Sequence, residues 1–213
     1  LDLTNMNKEA ARRTRSVIMF IGPLLQKFSQ FNIPYAGGCE LGRRTVLPHL
    51  YGLEEFGAEI STKSGHYHVT STPALPKRPV VLYESGDTTT ENILMAAAGF
   101  EGETVIKMAS ANYAIQDLCF FLRKLGVKIE GIGTTTLRVN GVKNIKKNIS
   151  YAPAEDPVAA MTFISAAVTT NSAITIQRAP IDFLELELLK LEKMGLSFTV
   201  TKPYKAENGQ TDL

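Results

Sequence analysis

The octapeptide Leu53-Glu54-Glu55-Phe56-Gly57-Ala58-Glu59-Ile60 is echoed at Leu122-Arg123-Lys124-Leu125-Gly126-Val127-Lys128-Ile129 and again at Leu191-Glu192-Lys193-Met194-Gly195-Leu196-Ser197-Phe198, each copy starting 69 residues after the last. The physical instruction is the same each time. Apolar residues at i and i+3 close an amphipathic helix, glycine supplies the left-handed residue that ends it, and an alternating stretch starts a strand at once. A second helical stretch lies upstream of each copy, at residues 16–26, 90–98 and 158–168. Three equally spaced matches with matching partners define a structural repeat, which confines the chain to an architecture assembled from one kind of unit.

The middle copy spells the unit out as strand–helix–strand–helix–strand–strand. Residues 80–83 form a short apolar strand; Thr88, Thr89 and Thr90 offer capping hydroxyls before Glu91, and that helix ends near Gly99. Residues 104–108 make the next strand. Over 113–125, Ile115, Leu118, Cys119, Leu122 and Leu125 share one helix face. Strands over 127–130 and 134–139 follow through Gly131 and Gly133, and Asn140-Gly141 reads as a tight turn. Pro73, Pro76 and Pro79 keep the link between the first two copies out of any central strand. Gly22-Pro23 predicts a kink or a fresh start in the first helical stretch. The third copy lacks its final strand, because the chain turns polar at Lys202-Pro203. The fold class expected is α/β (α+β), built of these repeated units.

Composition narrows the partners. Of the 213 residues 44% are hydrophobic and 21% charged, as in ordinary globular proteins, and 23 Lys plus Arg against 21 Asp plus Glu predict neither a nucleic acid nor a membrane surface as partner. No apolar run approaches the roughly 18 residues of a membrane span, and no segment reads as a signal peptide. Two cysteines are too few for a disulfide framework, so a cytoplasmic setting is expected. A start at Leu1 and a third repeat cut short lead us to expect a fragment of a longer chain.

The first copy departs from the others in the connection between its second strand and second helix, Ala36-Gly37-Gly38-Cys39-Glu40-Leu41-Gly42-Arg43-Arg44. Three glycines allow tight turning and close approach to a ligand, and a thiol stands beside two guanidinium groups suited to phosphate or carboxylate. The segment leads into a helix near Val46, whose N-terminus favours anions. An anion-binding or reactive-thiol segment and a flexible surface loop both fit that composition. Elsewhere the readings are structural. Cys119 belongs to an apolar helix face, and Asp182, Glu185 and Glu187 to a solvated one. His66 and His68 flank Tyr67 without a third ligand at suitable spacing, so a solvated hairpin is expected there and no metal.

Arg15-Ser16-Val17-Ile18, Gly22-Pro23-Leu24-Leu25, Gly37-Gly38-Cys39, Gly42, Arg44 and Thr90-Glu91-Asn92-Ile93-Leu94-Met95-Ala96-Ala97 together resemble the UDP-N-acetylglucosamine 1-carboxyvinyltransferase family of enolpyruvyl transferases, over residues 15 to about 195. The resemblance implies an inside-out barrel fold of two domains with six units, of which three are present here. Residues 1–150 would then be two units of the loop-bearing catalytic domain, and 151–213 a first, incomplete unit of the second. It also implies transfer of the enolpyruvyl group of phosphoenolpyruvate to the 3-hydroxyl of UDP-N-acetylglucosamine, with release of phosphate, in peptidoglycan precursor synthesis. Cys39 matches the family's general acid and fosfomycin target. Arg15 and Arg44 match substrate-binding arginines, and Val46 lies in the uridine-contact stretch. His49 stands where the family often has histidine, in a structural or loop-contacting role. No cofactor is implied. The remainder of its own chain would be the partner completing the site, since the family's Lys-Asn pair, catalytic Asp and distal arginines have no counterpart here.

Departures point at the acceptor. Thr45-Val46-Leu47-Pro48 stands where the family reads Pro-Val-Asp-Leu, and Glu84-Ser85-Gly86-Asp87-Thr88 where it reads Lys-Val-Ser-Val-Gly. Replacing that lysine by Glu84 turns an attraction for a diphosphate into a repulsion. An enolpyruvyl transferase with another acceptor, including the 5-enolpyruvylshikimate-3-phosphate reaction, and a non-catalytic nucleotide-sugar-binding scaffold are the alternative readings.

Overall fold

The computed structural model describes residues 3, 6–37 and 45–213, and the chain divides into two units, Leu1–Asn148 and Ile149–Leu213. In the first unit, two copies of the repeat build equivalent sheets. The first copy contributes β1 (Gln30–Pro34), β2 (Ala58–Lys63) and β3 (His66–Ser71), antiparallel in the order β1-β3-β2. The second contributes β4 (Val80–Val81), β5 (Gly102–Lys107), β6 (Lys128–Glu130) and β7 (Thr136–Gly141), in the order β4-β5-β7-β6. The order β5-β7-β6 repeats β1-β3-β2, with β4 added parallel to β5 at the edge. Register follows from burying one face. Ile33 lies opposite Tyr67, Ile60 opposite Val69, Ile106 opposite Leu137 and Ile129 opposite Val139.

The helices are α1 (Lys8–Arg13), a 3-10 helix (Arg15–Phe20) running into α2 (Ile21–Leu24), α3 (Leu47–Glu54), α4 (Asp87–Gly99) and α5 (Tyr113–Leu125). The change from 3-10 to α geometry before Gly22-Pro23 is the fresh start expected there. α4 is the central post, packed against α2, α3, α5 and β7. Its Ala96, Ala97 and Ala98 are buried beside Ile93 and Leu94, and their small size lets the neighbouring backbones close in. The Phe56 and Phe100 rings, 5.2 Å apart, join the two copies inside one core. All three repeat glycines end their helices in the left-handed region, Gly57 at φ +82°, Gly126 at +106° and Gly195 at +96°.

Several expectations need correction. Thr88, Thr89 and Thr90 do not cap α4, which already starts at Asp87 behind Gly86 and takes all three inside it; the Thr90 hydroxyl instead donates to Gly86 O at 2.8 Å. Asn140-Gly141 is no turn but the end of β7, with Gly141 opposite Gly102. Glycine is needed there because a Cβ would come within 2.3 Å of Ala97 O at the end of α4. Upstream of the first helical stretch the unit predicts a strand, and α1 stands there, started by Asn7 accepting from Ala10 N at 3.0 Å.

The second unit carries α6 (Pro157–Thr169), a 3-10 helix (Ile181–Phe183), α7 (Glu185–Lys193) and one bridge between Lys205 and Asp212. No strand follows Gly195, against expectation. β2 and β6 are each held by a return strand, β3 and β7, and the third copy has none to satisfy its backbone groups. α6 occupies the repeat position of α4, yet leaves Val158 and Phe163 each 61% exposed, because no second copy flanks it within the unit. Among the described residues no helix is long and apolar enough to cross a membrane.

Candidate functional site

The first copy departs from its own repeat at the connection between β1 and α3. Cys39 and Arg44 fall within residues 38–44, outside the described residues. Both margins of that segment are anchored. On the β1 side, Tyr35 N donates to Gly65 O at 3.0 Å, Gly37 N donates to Ala11 O at 3.2 Å, and the Tyr35 ring lies 5.0 Å from that of Tyr67. On the α3 side, Thr45 Oγ1 accepts from Leu47 N at 3.1 Å and starts the helix, with Val46 as its N-cap residue and Pro48 in the first turn.

Arg15, the first residue of the 3-10 helix, donates from Nη2 to Thr45 O at 2.5 Å. Two of the four expected site residues, Arg15 and Val46, are thereby brought to one margin of the connection. Arg15 is half-buried, with its charge at the start of α3.

Behind this margin lies a buried polar junction. Asn92, on α4, accepts from Gly22 N at Oδ1 (3.0 Å) and donates from Nδ2 to Ile18 O (3.2 Å). The same Nδ2 lies 3.3 Å from His49 Nδ1 on α3, and His49 Nε2 lies 3.4 Å from Thr88 Oγ1. His49 is only 1% exposed. Burial, and next the charge of Arg15, pull its pKa down from 6.5 to about 4, so the ring is neutral near neutrality. α2 reaches this junction because Gly22 has no side chain: a Cβ there would stand 2.3 Å from Asn92 O. The sequence predicts a structural or loop-contacting role for His49 and none for Asn92. The available signal was one amide among the apolar residues of a helix that buries nearly all round.

The N-terminal end of α4 is organised from β5–α5. Asp87 accepts from Ser110 Oγ at 2.5 Å and from Asn112 Nδ2 at 2.8 Å, and Thr90 Oγ1 accepts from Ser110 N at 3.0 Å. Burial, then Asp87, push the Glu91 carboxyl above its usual range. Glu84 is exposed just before the helix, accepting from Thr89 Oγ1 at 3.4 Å. Next to it Tyr83 is 75% exposed, its ring 5.6 Å from that of Tyr51 on α3.

The remaining candidates sit apart from chemistry. His66 Nδ1 faces Ser64 O and His68 Nε2 faces Lys63 O, both in the β2–β3 hairpin. Among the described residues no group of three or more His, Cys, Asp or Glu is placed to hold a metal. Cys119 is fully buried on α5, and burial pushes its thiol up to about 12.

The family model of EPSP synthase (3-phosphoshikimate 1-carboxyvinyltransferase) matches residues 2–212. A UDP-N-acetylglucosamine 1-carboxyvinyltransferase of Sulfurovum sp. (strain NBC37-1) is 34% identical over 91% of this chain and 46% of its own length. That of Shewanella piezotolerans is 35% identical over 93% of this chain and 48% of its own. The chain thus spans about half the length of the curated relatives it matches. In fold it is similar to the enolpyruvyl transferase NikO from Streptomyces tendae, with a TM-score of 0.65 at 17% identity over 86% of this chain and 44% of that one. It is similar also to the EPSP synthase from Acinetobacter baumannii, with a TM-score of 0.63 at 21% identity over 92% and 44%.

Proposed function

The chain belongs to the EPSP synthase (3-phosphoshikimate 1-carboxyvinyltransferase) family, and from that premise we propose that it is the loop-bearing part of an enolpyruvyl transferase acting on UDP-N-acetylglucosamine. The observation that carries the acceptor is the naming of relatives 34–35% identical over more than nine-tenths of this chain. In this reading the enolpyruvyl group of phosphoenolpyruvate passes to the sugar 3-hydroxyl and phosphate leaves, a cytoplasmic step toward peptidoglycan and the bacterial cell wall.

The reaction is an addition followed by an elimination. Cys39 protonates the methylene carbon while the sugar oxygen attacks the neighbouring carbon; a thiol with a reference pKa of about 8.5 is still protonated near neutrality and suits that task. Arg15 and Arg44 supply fixed positive charge for phosphate and carboxylate. Val46 packs on the nucleotide side. Residues 1–150 furnish two units of the catalytic domain and 151–213 the first unit of the second, and the rest of the protein brings the base. The reading is supported by the anchoring of Arg15 at Thr45, which puts a cation at the margin of the Cys39 segment.

Glu84 favours a second reading, the same chemistry on a different acceptor, because an exposed carboxylate before α4 opposes a diphosphate. Calorimetric titration of the whole protein with UDP-N-acetylglucosamine, followed by phosphate release on adding phosphoenolpyruvate, tests both. Binding with turnover is expected. Turnover with another acceptor alone would select the second reading, and binding without turnover would leave a non-catalytic scaffold.

A further inference from the structure

Among the described residues Arg15 contacts the connection before α3 at Thr45 O, but its place is set elsewhere. The 3-10 helix that carries it is tied by Ile18 O to Asn92 Nδ2, and the start of α2 is tied by Gly22 N to Asn92 Oδ1. α3, which follows Thr45, is tied by His49 Nδ1 to the same Nδ2. The contacts therefore close a ring: Arg15 to Thr45, along α3 to His49, across to Asn92 on α4, and back through Ile18 to Arg15. Gly22 N can only donate, so the amide oxygen must face it, and both Nδ2 hydrogens are left for Ile18 O and His49 Nδ1. Three backbone or ring partners from two other segments thus converge on one side chain that is fully buried.

We propose that Asn92 is a positioning residue, whose amide holds the Arg15-bearing 3-10 helix and α3 in the one relative placement that lets the Arg15 guanidinium reach Thr45 and face substrate. The inference rests on the reading of Arg15 as a substrate contact. Asn92 touches no substrate itself; it acts through the two elements it joins. An apolar residue of the same size would leave Gly22 N unpaired in the interior and would remove the donor that joins Ile18 O to His49 Nδ1, Ile18 O keeping its bond from Ile21 N, so the two segments lose what holds them together.

The test is a double-mutant cycle on phosphoenolpyruvate binding, combined with the 15N-edited Nε–H signal of Arg15. Asn92→Leu and Arg15→Ala are each expected to weaken binding about tenfold or more, and the double variant no further than Arg15→Ala alone. Asn92→Leu should also move the Arg15 Nε–H signal toward its free-chain position. Additive losses, or an Arg15 signal unchanged in Asn92→Leu, would overturn the proposal. If Asn92→Leu does not fold, Asn92→Asp serves, since it keeps the acceptor for Gly22 N and loses only the donors to Ile18 O and His49. The Arg15 signal keeps the two readings apart. Should the unsubstituted protein bind no phosphoenolpyruvate while the signal still moves, the substrate assignment fails and the positioning of Arg15 by Asn92 stands.

Discussion

Asn92 Nδ2 lies 3.3 Å from His49 Nδ1, and because an amide nitrogen can only donate, the contact fixes the imidazole with Nδ1 bare and Nε2 carrying the proton. The Nε2 hydrogen then points at Thr88 Oγ1, 3.4 Å away. A second proton on Nδ1 would face a donor, inside the core and near the Arg15 charge. Neutral His49 is thus part of the fold that carries the candidate site.

The first prediction concerns stability against pH. His49 titrates at about 4 in the folded chain, against 6.5 as its ordinary value. Below 6.5 the unfolded chain takes up a proton that the folded chain refuses. The stability contributed by neutral His49 is therefore complete above about 6.5 and is lost as pH falls toward 4, by about 3 kcal/mol at most. Urea unfolding of His49→Gln and the unsubstituted chain between pH 7 and pH 4 should show their stability difference shrinking as pH falls. Parallel profiles would mean that the imidazole is not held neutral.

A second prediction tests the end of β7. Gly141→Ala would put a methyl group 2.2 Å from Phe100 O and 2.3 Å from Ala97 O, both backbone atoms that cannot swing aside. The strand and the C-terminal end of α4 must separate, at a cost of about 2 kcal/mol. The midpoint of urea unfolding should fall accordingly, and an unchanged midpoint would mean that the close approach of β7 to α4 is not as tight as described.

These positions also show what the chain makes legible. The bounds of α5, residues 113–125, were readable because its apolar residues share one face, Asn112 caps it and Gly126 stops it. The three glycine stops were readable because only a local conformation decides them. α4 was harder, since a helix buried on several sides shows no period, and its threonines look like caps while serving tertiary contacts. Gly141 looked like a turn because turn and close approach both select glycine. Arg15 is marked by the resemblance alone, and Val46 both by the resemblance and by its place at the start of α3. No local pattern assigns Asn92 a task, since its partners lie 43 to 74 residues away.

The third prediction separates the two thiols. Cys119 is sealed in the core with its pKa pushed up to about 12, so thiolate is scarce and access is blocked. In the native protein fosfomycin and a neutral alkylating reagent should each modify one thiol; Cys39→Ala should take up neither, and on denaturation it should gain the alkylating reagent alone. Undiminished fosfomycin labelling of Cys39→Ala, located by peptide mapping, would remove Cys39 from its assigned role.

The last prediction asks what Glu84 does to the acceptor. Its carboxylate is exposed at the N-terminal end of α4, held by no more than a 3.4 Å bond from Thr89 Oγ1. Helix N-termini attract anions, and a carboxylate already there cancels much of that field for an incoming diphosphate. Glu84→Lys reverses the charge while leaving the buried junction of Asn92 and His49 untouched. UDP-N-acetylglucosamine should then bind several-fold more tightly at low salt, with the gain shrinking as ionic strength rises, as expected for an exposed charge. Phosphoenolpyruvate, bound by Arg15 and Arg44 in the proposed site, should be affected less. Equal tightening for both substrates would show a general change in the field of the protein. Weaker UDP-N-acetylglucosamine binding would mean that Glu84 makes a favourable contact to the acceptor, and that this departure from the family pattern is an adaptation to the same ligand.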